Sequence, residues 1–136
     1  MKAMKTISVM IVILGILLTA CGSAQSLNGT KWRLTHLAGQ PVLTETEVTL
    51  NLDDGALGGN DGCNSYGGSY SSEGNTIKVG TDIISTMMYC NEQIQTQTNA
   101  YYQALLGAAT YKLSGGKLSL LDSSGTILAE FESLNN

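Results

Sequence analysis

Gly58 to Tyr70 reads "GGNDGCNSYGGSY". Glycines placed this densely around one cysteine suit four chemistries: a phosphate cradle, a metal site, a nucleophile or a structural staple. A phosphate cradle wants a glycine loop between a strand and a helix N-terminus, often closing in Gly-Lys-Ser/Thr. Here the loop runs into an extended segment, and no lysine lies between Arg33 and Lys78. Asp53, Asp54, Asn60, Asp61 and Asn64 bring oxygen ligands together, but their spacing departs from a calcium loop. The same residue types beside glycine are ordinary turn formers. A Cys63 nucleophile would want a base, and the one histidine, His36, reads as a surface residue ending the first strand. Zinc would want short-spaced ligand pairs, which are missing.

The staple depends on where the chain goes. Lys2 and Lys5 open a basic start, and Ile7 to Leu18 is nearly all apolar. This is a secretory leader, too short for a comfortable membrane span of about 20 residues. It ends Leu18-Thr19-Ala20-Cys21, which resembles the bacterial lipobox. In that pattern small residues admit the peptidase and the cysteine is acylated, at about 0.8 kcal/mol per buried methylene. The expected organisation is residues 1–20 as a lipoprotein signal peptide, 21–26 as the lipidated cysteine and tether, and 27–134 as one domain. With Cys21 lipidated, Cys63 and Cys90 are the remaining thiols in an oxidising compartment, where thiols pair. Their bridge closes a loop of about 28 residues, worth roughly 3 to 4 kcal/mol on chain entropy. The glycines then permit sharp reversals or bulges beside it.

Of seven Lys and Arg, Lys2 and Lys5 fall in the leader; the five left, against eleven acidic side chains, give the mature chain a net charge of −6. Scattered Lys31, Arg33, Lys78, Lys112 and Lys117 make nucleic acid a poor partner.

Period-two alternation dominates the rest. In "TKWRLTHL" Trp32 and Leu34 share a face; in "EVTLNLDD" Val48, Leu50 and Leu52 do. Tyr66 to Ser71 and Thr76 to Val79 read as strands around a turn at Ser72 to Asn75. Ile83 to Met88 reads as another. The C-terminal stretch from Thr110 holds three more, split by Gly115-Gly116 and by Asp122 to Gly125. Between them, Ile94, Tyr101, Leu105 and Ala108 recur at helical spacing, with Asn91 as N-cap and Gly107 near the end. The expected fold is mainly β: a small antiparallel barrel or half-barrel of about eight strands with one inserted helix of about fourteen residues, placed to plug an end or cover a gap.

Together these residues resemble a known family. Gly62, Cys63, Asn64, Tyr66, Gly68 and Tyr70, then Thr86, Met88 and Cys90, match the Gly-Cys-Asn-x-Tyr-x-Gly-x-Tyr and Thr-x-Met-x-Cys stretches of the META domain, also called HslJ-like. Leu27, Gly29, Thr30 and Trp32 resemble its opening, and Tyr111, Leu113, Gly115, Leu118 and Leu120 its close. The resemblance implies a small barrel-like domain common in envelope lipoproteins, with no known catalytic residues. The family often carries acids in the helix where this chain has Gln95 and Gln97.

The functional expectation is a non-enzymatic module without cofactor or metal. It would be held to the exported side of a bacterial membrane by the lipid on Cys21 (the outer membrane or the periplasmic face where there are two membranes). Its partner would be an envelope protein or cell-wall component, in a binding or stress-related role. The alternative is a small inhibitor or chaperone-like module acting on an envelope enzyme.

Overall fold

A computed structural model describes residues 25–135. The leader, Cys21 and the tether up to Ala24 lie outside the described residues.

Ten strands and one helix follow in order: β1 Thr30–Leu37, β2 Gln40–Pro41, β3 Thr49–Asp53, β4 Ala56–Asn60, β5 Ser65–Glu73, β6 Thr76–Val79, β7 Ile84–Ser85, α1 Glu92–Gly107, β8 Thr110–Ser114, β9 Lys117–Leu121 and β10 Ile127–Ser133. All pairings are antiparallel. Eight of the strands follow one another round a ring, β1-β3-β4-β5-β6-β8-β9-β10, and β10 pairs back onto β1. The mainly-β barrel with one helix is therefore the fold. The two remaining strands, β2 and β7, are two residues each.

Alternation explains the ring. On β1 Trp32 and Leu34 point inward, on β3 Leu50 and Leu52, on β5 Tyr66 and Tyr70, on β9 Leu118 and Leu120, and on β10 Ala129 and Phe131. The weak seam is β6–β8, where Thr76↔Thr110 is the one residue pair, flanked by Ile77 N–H to Ala109 O and Tyr111 N–H to Asn75 O. Helix α1 packs against β6, β9, β10 and β1, across that seam. It brings Tyr101 and Leu105, both fully buried, and Ala104 onto the core.

The helix starts as expected: Asn91 Oδ1 accepts the Ile94 N–H at 3.0 Å. Its end differs. Gly107 is its last residue and the chain leaves extended at Ala108, whose N–H returns to Leu105 O. Gly107 supplies no left-handed cap.

Two strand readings need correction. Ile83 to Met88 forms a strand only at Ile84–Ser85. Beyond it the Thr86 N–H still reaches Ser65 O, but β5 begins at Ser65, and the Asn64 side chain takes over the pairing at Met88. In the other direction, Ala56–Asn60 is a full strand, β4. Its glycines hid it. Gly58 faces Gly67 and Gly59 faces Tyr66 across the β4–β5 ladder. A Cβ on Gly58 would sit 2.9 Å from Tyr66 O. On Gly59, at φ +153°, a Cβ would collide with the Thr49 carbonyl. These glycines serve close approach of neighbouring strands. The acidic pair Asp53-Asp54 belongs to a turn: Asp54 and Gly55 both hold positive φ, 47° and 78°, the two-residue hairpin geometry that favours Asp-Gly.

Candidate functional site

The chain from Asp61 to Asn64 turns from β4 into β5 around one buried carboxylate. Asp61 is 1 % exposed. Its Oδ1 accepts the N–H groups of Cys63 (2.9 Å) and Asn64 (2.6 Å), and its Oδ2 accepts the Tyr102 hydroxyl at 2.6 Å. Its N–H donates to Asn64 O, and its carbonyl accepts the Thr98 hydroxyl. The loop is thus tied to two consecutive turns of α1. A buried carboxylate needs that many donors to stay in the fold.

Asn64 and the disulfide then fix the segment after β7. Cys63 and Cys90 are bonded, with Cα atoms 6.0 Å apart. The Asn64 amide makes a two-point contact with Met88: Met88 N–H donates to Oδ1 at 2.7 Å, and Nδ2 donates to Met88 O at 3.2 Å. The side chain thus copies one rung of a β ladder. Thr86 Oγ1 donates to the same Oδ1 at 3.0 Å, and the Thr86 N–H reaches Ser65 O at 3.0 Å. So Cys63, Asn64, Thr86, Met88 and Cys90 form one fastening.

What it fastens is an apolar strap. Ile84 is 76 % exposed, Met87 93 %, Met88 63 % and Tyr89 86 %. Open hollows lie on both sides. One, of about 490 Å³, has Tyr66, Gly67 and Gly68 in its floor and Asp82, Ile84 and Thr86 at its rim. The other, of about 340 Å³, lies between the strap and α1, with Met87, Tyr89, Gln95, Asn99 and Tyr102 among its lining residues. Hydrogen bonds from the Ser69 hydroxyl and N–H hold Asp82 below the usual carboxylate range, so its charge is retained.

Beneath the strap is a cluster of phenols. Tyr66 donates to Thr49 O at 2.8 Å and so accepts from Tyr101, 2.6 Å away. Tyr66, Tyr101 and Tyr102 meet pairwise with ring centroids 5.6 to 5.9 Å apart, the two Tyr66 contacts edge-on. Burial pushes all three hydroxyls above the ordinary phenol range, and for Tyr102 the bond to Asp61 adds to it.

Other residues singled out in the sequence have structural surroundings. Tyr70 is a core residue on β5, and Gly68 lies where a Cβ would meet Ile83 at 3.1 Å. The Gly62 N–H is received by Asn60 Oδ1. His36 sits on β1 opposite Glu130 and Pro41, and Cys63 is taken up in its bridge. Among the described residues no group of three His, Cys, Asp or Glu side chains is arranged to hold a metal ion. Gln97 accepts the Leu43 N–H and donates to Thr46 Oγ1, a double role a carboxylate could not fill. In the sequence Asp61 stood only as a turn residue and as one of the oxygen ligands weighed for a calcium loop. Tyr102 and Thr98 fell outside the expected core stripe; the hydroxyls of both serve the loop, and the Tyr102 ring also packs against the core.

The fastening residues are among those that carried the family resemblance, and the family model for the META domain matches residues 25–134. The chain belongs to the META domain family. No curated protein matches the sequence. Three solved structures are similar in fold. One, of a protein from Burkholderia xenovorans solved by NMR, has TM-score 0.63 and 23 % identity, over 81 % of this chain and 85 % of that one. A second NMR structure has TM-score 0.62 and 18 % identity, over 80 % and 94 %. A crystal structure of a DUF4847 family protein from Bacteroides vulgatus has TM-score 0.57 and 13 % identity, over 78 % and 93 %. At these identities the likeness is one of fold.

Proposed function

We propose that this META domain is an exported, lipid-anchored binding module of the bacterial cell envelope, without enzymatic activity, and that it contacts another envelope protein through the strap. The observation that carries the reading is the exposed run Ile84, Met87, Met88 and Tyr89 on a backbone secured from behind by Asn64 and a disulfide. Exposed methionine and tyrosine are costly in water and typical of protein interfaces. Fixing them in advance reduces the ordering cost of association. A protein partner suits such a surface better than a polar cell-wall glycan.

Export is supported by the leader and by a disulfide of the kind oxidising compartments allow. Orientation supports the partner. Gln25 lies at the far end of the ring, where Tyr111 OH donates to Gly74 O and contacts Gln25 O. β5 runs nine residues from the strap at Ser65 to that end, roughly 25 Å. Four residues from Cys21 to Gln25 reach at most about 14 Å. A lipid on Cys21 would thus hold the domain by the end opposite the strap, an arrangement that supports a partner met away from the membrane. The non-enzymatic reading is supported by the acid–base groups beneath the strap. Both oxygens of Asp61 are engaged by structural donors, and the phenols are held protonated.

The test is made in cells. Cys21→Ser should release the protein from the membrane fraction, and the native mature chain should begin at an acylated Cys21. A photoreactive side chain in place of Tyr89 should crosslink to one envelope protein, and Met87→Asp should abolish the adduct. A chain equally membrane-bound after Cys21→Ser defeats the anchor. The absence of a protein adduct from position 89 defeats the binding role.

A further inference from the structure

Resting on that binding role, we infer that the strap receives its partner by strand addition: an extended polypeptide segment with alternating apolar side chains and Lys or Arg around them lies in the groove between the strap and α1. β7 pairs with β5 alone. Thr86 and Met88 turn their N–H groups toward β5 and Asn64. Ser85 closes β7, and Met87 lies between two residues bonded toward β5 and Asn64, so both sit one residue out of phase and turn N–H and C=O to the opposite side, by the alternation of an extended backbone. Among the described residues no backbone partner meets them there. A row of unpaired backbone groups on a fixed strand is completed best by another strand.

Two further marks of the occupant lie in the groove and around it. Gln95 and Asn99, amide side chains bonded to each other at 3.2 Å, line its far wall and offer both donors and acceptors to a second backbone. The second mark lies around the groove: the 29 residues from Thr81 to Ala109 hold just two charged side chains, both acidic, Asp82 before the strap at the rim of the other hollow and Glu92 after it in the first turn of α1, whereas the Lys and Arg of the described chain lie on β1, β6, β8 and β9. Opposite charge steers and orients a partner, so the incoming segment is basic. The acidic net charge and the acidic flanks disfavour a second copy of this chain or an anionic lipid surface.

The experiment uses the full lipidated chain in intact cells, with the photoreactive side chain at position 89. The adduct is digested and the attached segment sequenced. The segment should alternate apolar residues and carry Lys or Arg. Met87→Pro removes an outward N–H that the fold does not use, and should lower the adduct yield about tenfold, the loss expected for one or two backbone hydrogen bonds. Met87→Ala, which keeps that N–H, should lower it less. Amide exchange at Ser85 and Met87 of the native chain should slow in the adduct, a readout independent of whether the proline variant folds. Unchanged yield in a folded Met87→Pro chain, or unchanged exchange at both amides, overturns strand addition while leaving the binding role standing. An acidic or helical segment, a second copy of this chain, or lipid at the crosslink also overturns it. A position 89 that captures nothing in the native chain removes the binding role and this inference together.

Discussion

The two ends of the ring are built differently. At the end where the chain enters, tight turns close the hairpins at Asp54-Gly55, Gly74-Asn75 and Gly115-Gly116, and apolar side chains are turned in. At the other end, four large apolar side chains face water on a strap two residues of which are strand. There the backbone is held by a disulfide, a buried aspartate and an asparagine that imitates a strand. A turn with the right dihedral angles needs no covalent or buried polar support. An extended segment with its apolar side chains exposed has no burial to hold it and needs both.

Substitutions should separate the two ends. The largest effect belongs to Cys63→Ala with Cys90→Ala. Loss of a bridge spanning 27 residues should cost about 3 to 4 kcal/mol and lower Tm by more than about 10 °C. Exchange protection should vanish first at Thr86 and Met88 while β9 and β10 keep theirs. Uniform loss across the ring would erase the distinction. Asp61→Ala leaves the Cys63 and Asn64 N–H groups and the Tyr102 hydroxyl without an acceptor, and should cost about 3 kcal/mol in denaturant unfolding. Gly59→Ala forces a Cβ against the Thr49 carbonyl and should cost about 2 kcal/mol in the same assay.

Alkali should act next. The folded state holds the Tyr66 and Tyr101 protons beyond the ordinary phenol value of 10.0, at which an unfolded chain gives them up. Their contribution is complete below pH 10.0 and is lost above it, at about 1.4 kcal/mol per pH unit for each phenol. Tyrosinate absorbance should therefore rise together with unfolding. Smooth titration of all tyrosines in folded protein would contradict the buried cluster. The smallest effect belongs to the strap itself. Met87→Ser and Tyr89→Ser should change stability by less than about 0.5 kcal/mol, since neither side chain is packed. A cost above about 1 kcal/mol would mean the strap is core and not a contact surface.

Much of the ring was legible because inward and outward residues alternate: Trp32 and Leu34, Leu50 and Leu52, Tyr66 and Tyr70 each mark a buried face. The bridge was legible from the count of cysteines and from the export that the leader pattern led one to expect. Strand β4 was not, because Gly58 and Gly59 leave no side-chain alternation to read, and their reason lies across the sheet in Tyr66 and Thr49. Asp61 was not, because an aspartate beside glycine reads as a surface turn and its partners Thr98 and Tyr102 come from thirty-seven and forty-one residues away. The strap was misread as a longer strand, since the pattern Ile83 to Met88 is apolar enough for burial and nothing local says that it stays in water.

The strap is a fixed strand-like segment, bonded on one side and free on the other. Residue-resolved amide exchange on the oxidised protein tests it directly. Thr86 and Met88 should be protected, Ser85 and Met87 should exchange as exposed amides, and reduction of the disulfide should abolish the protection at Thr86 and Met88 before that of the ring. Equal, rapid exchange at all four amides in the oxidised protein would contradict it.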